Sequence, residues 1–117
     1  MLAAGVAVPG PIIANLLIDT GASVTSVDSS VIDQLGLQPT GTVGIRTPST
    51  GLIPHTCSTY DVELTIPGPT QARHVPAVAI IDGHYLSQGH QGLLGRDMLK
   101  DGRLIYCGHD NFVMLSF

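Results

Sequence analysis

One short stretch carries residue types that could do chemistry: Leu16-Leu17-Ile18-Asp19-Thr20-Gly21-Ala22-Ser23. Three bulky apolar residues lead straight into a carboxylate. Burying that group is costly unless it is hydrogen-bonded or shares a proton with a neighbour. Asp and Gly are also common turn formers, so a strand-ending turn is the structural alternative. An Asp-[Ser/Thr]-Gly-[Ala/Ser] string arises by chance in about one in a hundred chains of this length. Its position at the end of an apolar run sets this one apart.

The other chemistry-bearing residues form no comparable set. Cys57 and Cys107 have no metal-ligand partner at short spacing. They read as free buried thiols, with a disulfide as the alternative. His84 and His90 share the loop from Asp82 to Gln91, but neither an H-E-x-x-H pattern nor a Cys/His set surrounds them, so no metal site is expected. The five basic residues, Arg46, Arg73, Arg96, Lys100 and Arg103, are dispersed in a chain of net charge −4. Phosphate contacts need clustered cations, so nucleic-acid binding has no electrostatic support.

The elements that must position Asp19 follow from texture. The chain has 117 residues, 44% hydrophobic and 12% charged, enough for one core and one domain over 1–117. The first 18 residues are uncharged, but Pro9, Gly10, Pro11 and Asn15 interrupt them, and there is no basic start. Neither a membrane span nor a signal peptide is therefore expected. The 14 glycines and 8 prolines punctuate short runs of Val, Ile, Leu and Thr, which is an all-β pattern. Strands are predicted at 3–8, 12–18, 23–27, 42–47, 52–66, 75–81, 103–107 and 112–117. The run at 75–81 is uniformly apolar and expected to be buried on both faces. Helices are predicted from Asp28 to Gly36, with acid and hydroxyl caps and a terminal glycine, and from Arg96 to Lys100.

The segment Leu17-Ile18-Asp19-Thr20-Gly21-Ala22-Ser23, followed some 70 residues later by Gly92-Leu93-Leu94-Gly95-Arg96-Asp97-Met98-Leu99, resembles the retropepsin-like aspartic proteases. The two motifs occur in family order and at family spacing. The resemblance implies a single-domain acid-protease fold: a closed, barrel-like β-sheet with one or two short helices and a flap hairpin. It implies an aspartic endopeptidase that cleaves polypeptide substrates without metal or cofactor. Two like-charged carboxyls in contact cannot both ionise, so one takes a proton from water while the other, protonated, donates to the peptide carbonyl.

By that resemblance Asp19 is catalytic, Thr20 ties two active-site loops together, and Gly21 permits close backbone approach. Ala22 and Ser23 complete the loop, with Gly95, Arg96 and Asp97 packed beside it. Retroviral members often carry an acidic partner for the arginine where this chain has Ser23. The flap spans 43–60, with Thr47-Pro48-Ser49-Thr50-Gly51 at its tip; His84 and His90 are expected in a wall of the substrate groove. Only one Asp-[Ser/Thr]-Gly is present, and a two-lobed chain would need about twice this length, so a C2 homodimer is expected. Residues 1–4 and 113–117 are the candidate intersubunit strands. The alternatives are a catalytically silent dimerisation or peptide-binding module, or the protease domain of a longer protein that needs further segments. The sequence assigns no compartment.

Overall fold

The computed structural model describes residues 11–45 and 55–117. Its first strand, β1, is Leu17–Ile18, followed by β2 (Ser26–Asp28) and helix α1 (Ser29–Leu35). Strands β3 (Gly41–Ile45), β4 (His55–Ile66) and β5 (Arg73–Gly83) come next. A 3-10 turn at Leu86–Gln88 precedes β6 (Gly92–Leu94), helix α2 (Arg96–Leu99) and the hairpin β7 (Arg103–Cys107) and β8 (Phe112–Ser116).

Local chemistry explains α1. The Asp28 side chain accepts from the Ser30 N–H, and Gly36 closes the helix in the left-handed conformation at φ 66°. Val31 and Ile32 fall on one face and are buried. They join Val27 and Ile80 in the core, with Ile12, Leu35, Leu37, Tyr60, Val62 and Val78 packed around them.

Six strands form one sheet in the order β1-β6-β2-β5-β4-β3. β6 is the pivot. It runs parallel to β1, pairing Leu17 with Leu93 and Ile18 with Leu94, and antiparallel to β2. β2 in turn pairs parallel with β5, and β5 antiparallel with the long β4. A segment more than 70 residues downstream is thereby inserted between β1 and β2, which are near neighbours in sequence.

The all-β expectation holds in its coarse form: a small, mostly β domain with two helices. The closed barrel does not. β1 and β3 stand at opposite edges of the sheet and do not pair, and β7 with β8 forms a separate two-stranded sheet. A two-residue edge strand offers too few backbone groups to seal a barrel. The predicted 12–18 strand shrinks to Leu17–Ile18 because its partner β6 is only three residues long. The 75–81 run is not buried on both faces either; only Ile80 and Ile81 are buried, because the rest of β5 alternates against β4 alone. The two thiols are free and half-buried rather than buried. Desolvation, with the Asp82 carboxylate adding to it, pushes the Cys57 thiol pKa up. The strand expected at 3–8, residues 1–4 and the flap tip from Thr47 to Gly51 lie outside the described residues. No helix among the described residues is long and apolar enough to cross a membrane.

Candidate active site

Asp19 leaves the end of β1 and is held by the main chain. Its N–H donates to the Leu94 carbonyl at 3.0 Å, which extends the β1–β6 pairing by one step. The chain then turns. The Gly21 N–H donates to Asp19 Oδ1 at 2.9 Å, and the Ala22 N–H donates to the Asp19 carbonyl at 3.2 Å. A Cβ on Gly21 would sit 3.2 Å from Asp19 Oδ1, so glycine leaves the carboxylate its space. Asp19 is half-buried, and Thr20, Gly21 and Ser23 are exposed.

The segment from Gly95 to Asp97 is locked to this loop from behind. The Arg96 N–H donates to the Ala22 carbonyl at 2.8 Å. Gly95 lies so close that an added Cβ would come within 2.6 Å of the Val24 carbonyl carbon and 3.0 Å of the Ala22 oxygen. Those obstacles are backbone, which cannot swing aside. Asp97 supplies the latch. The hydroxyl of the fully buried Thr25 donates to Asp97 Oδ1 at 2.6 Å, and the Thr25 N–H donates to Oδ2 at 3.0 Å. The same hydroxyl oxygen accepts the Gly95 N–H at 3.0 Å, and the Met98 N–H donates to Asp97 Oδ1 at 2.8 Å. Each of the three groups hydrogen-bonded to this carboxylate donates to it.

The model of an aspartyl protease family matches residues 6–98, which takes in the Asp19 motif and the second motif through Met98. The chain belongs to that family, within the retropepsin-like clan. No curated protein and no solved structure matches it.

Set against the expectations for a retropepsin-like chain, the supporting residues divide. Ala22, Gly95 and Asp97 join the Asp19 loop through the contacts above. Arg96 joins it through its backbone, while its side chain is exposed and in no ion pair among the described residues. Ser23 offers it no bond there. His84 is exposed, and neither histidine is hydrogen-bonded to the Asp19 loop among the described residues. The His90 ring stacks on Tyr85 with centroids 5.3 Å apart, and its Nδ1 lies 2.9 Å from the Gly92 carbonyl.

Sequence reasoning passed over Thr25, whose partner lies 72 positions away, and the network around Asp28. Asp28 is buried and accepts from the Ser30 hydroxyl at 2.6 Å, the Ser30 N–H at 3.0 Å and the Tyr85 N–H at 2.7 Å. These bonds, the Ser30 hydroxyl foremost, hold its pKa down at about 2. Tyr85 also meets the Ser26 hydroxyl through its own. Asp28 thus caps α1 and anchors the loop that carries both histidines. Only the capping half had a signal in the sequence, an acid directly before Ser29-Ser30.

Proposed function

We propose that this chain is an aspartic endopeptidase in which two copies each contribute one Asp19 to a shared catalytic pair. The observation that carries the reading is the fixed Asp19 carboxylate: Gly21 N–H on Oδ1, Leu94 carbonyl on its own N–H, and the Thr25–Asp97 latch behind. Family membership supports the reaction class.

In that pair, one carboxylate takes a proton from a water that attacks the scissile carbonyl carbon. The other, protonated, donates to the carbonyl oxygen as it gains charge. The same two groups then return a proton to the leaving amine as the tetrahedral intermediate collapses. No covalent intermediate is formed, and the pair titrates as a unit. Thr20, exposed beside Asp19, is free to reach the second loop across the axis. Leu17, two residues before Asp19, is paired in parallel register with Leu93 and is 53% exposed. This apolar floor favours hydrophobic residues beside the cleaved bond. His84, His90 and residues 47–51 retain their proposed places in the groove wall and flap.

The test is cleavage of a peptide library at mildly acidic pH by the wild type and by Asp19→Asn. The wild type is expected to cut between hydrophobic residues, and Asp19→Asn to lose at least about a hundredfold in rate. Hydrolysis surviving the substitution would remove Asp19 from the mechanism. A wild type that binds peptides without cutting them would favour the silent module.

A further inference from the structure

We propose that the cleft between β5 and α2 docks an extended, acidic peptide segment of another protein, which adds to β5 as a further strand. Such docking is independent of whether the chain cleaves peptides.

A strand has two hydrogen-bonding edges, and successive residues turn their N–H and C=O groups to opposite ones. β4 runs along one edge of β5, from the Ile66–Arg73 pair to the Thr59–Ile81 pair. β2 covers the other edge only at Ile81–Gly83. From Arg73 to Ile80 that second edge has no strand partner among the described residues. The Ile81 N–H points to it, since it donates to the Thr25 carbonyl at 3.2 Å. Two residues back, Ala79 therefore offers its N–H and C=O to the same side, with no backbone partner among the described residues. Ala77 and Ala79 are exposed and carry no bulk or charge to turn a further strand away. α2 and the residues after it form the opposite wall. Met98, Lys100 and Asp101 line, with Val75, Ala77 and Ala79, a cleft of about 440 Å³. An extended peptide laid there gains main-chain bonds from the edge and seats alternate side chains in the cleft.

Charge selects the class of segment. Arg73, Lys100, Asp97 and Asp101 all line the cleft. Asp97 already accepts three hydrogen bonds, and Asp101 Oδ2 lies 3.3 Å from Arg73 Nη2. The two cations are less completely answered. Arg73 is held over the Phe117 ring, 5.5 Å from its centroid, and its Nε is buried with no hydrogen-bond partner among the described residues. A buried donor without a partner is costly, so an incoming acceptor is rewarded. Lys100 is exposed and in no ion pair among the described residues. A carboxylate side chain on the docked strand answers both. Residues 1–10 and 46–54 of this chain contain no Asp or Glu, so neither supplies that segment.

The experiment uses the full chain and a fluorescent, capped peptide probe of alternating valine and threonine with one central glutamate. Versions with glutamine or lysine in its place serve as controls. Anisotropy measures binding, and hydrogen exchange locates it. The glutamate probe is expected to bind in the micromolar range, each control about tenfold or more weaker, and the Ala79 amide to exchange more slowly in the complex. Arg73→Gln should erase the preference for glutamate. Ala79→Pro should lose binding of every version, because proline removes the offered N–H without touching the β4 ladder. The exchange readout stands even if either variant fails to fold. Absence of probe binding, equal affinity for glutamate and lysine, or protection confined to the Asp19 loop overturns the proposal. So does self-association that protects the Ala79 amide, which would make a second copy the occupant. Peptide cleavage is scored separately, and a chain that binds the probe at β5 yet cuts no peptide refutes the protease reading alone.

Discussion

At the scale of single residues, Thr25 does most to stiffen the site without touching where substrate would sit. One buried hydroxyl gives a hydrogen bond to Asp97 and accepts one from Gly95, so a single oxygen ties the 95–97 segment to the Asp19 loop at two points. Thr25→Val keeps the shape and removes that oxygen. The Gly95 N–H would then be buried without a partner, and the Asp97 carboxylate would lose its shortest bond. The expected loss is about 2 kcal/mol or more in denaturant unfolding, with Thr25→Ser recovering most of it. A loss within error would mean that water or backbone movement replaces the hydroxyl. Asp19 itself was legible in the sequence, because an apolar run ending in Asp-Thr-Gly is a local signal. Thr25 was not legible, because its partners are 70 and 72 positions away and nothing local marks one threonine among several.

At the scale of elements, α1 and the loop before β6 depend on one another through Asp28. Its pKa is depressed, so the ionised form stabilises the fold above the ordinary carboxylate value, and that contribution fades as pH falls from about 4 to about 2. Asp28→Asn removes the charge at every pH. Thermal melts should show the variant well below the wild type at pH 6, with the gap closing between pH 4 and pH 2. A gap that stays constant across that range would mean the carboxylate is not titrating against these donors. The helix was readable because its caps are local: an acid before the first turn and a glycine after the last. β1 and β2 were not readable in their true extent, since strands of two and three residues exist only where a distant strand pairs with them. The open sheet shows the same limit, because closure depends on whether the edges meet.

At the scale of the whole molecule, the decisive number is one Asp-Thr-Gly triplet per chain. Mixing settles whether two chains share a site. If wild type and Asp19→Asn exchange subunits freely, adding an equal amount of the variant should cut total activity to about half, because wild-type chains are drawn into one-sided dimers. Activity that the added variant leaves unchanged would place a complete site within one chain.

The insertion of β6 between β1 and β2 also governs when the site can come into being. Asp19 is synthesised well before its supports, because the carbonyl that holds its N–H belongs to Leu94 and the carboxylate that latches its loop belongs to Asp97. Contacts spanning so much chain are slow to close and are rewarded late in folding. A nascent chain on the ribosome, or a fragment ending before β6, carries the Asp-Thr-Gly triplet but not the frame that aims it. On the proposed protease reading, a chain in that state would not yet be able to cut its neighbours.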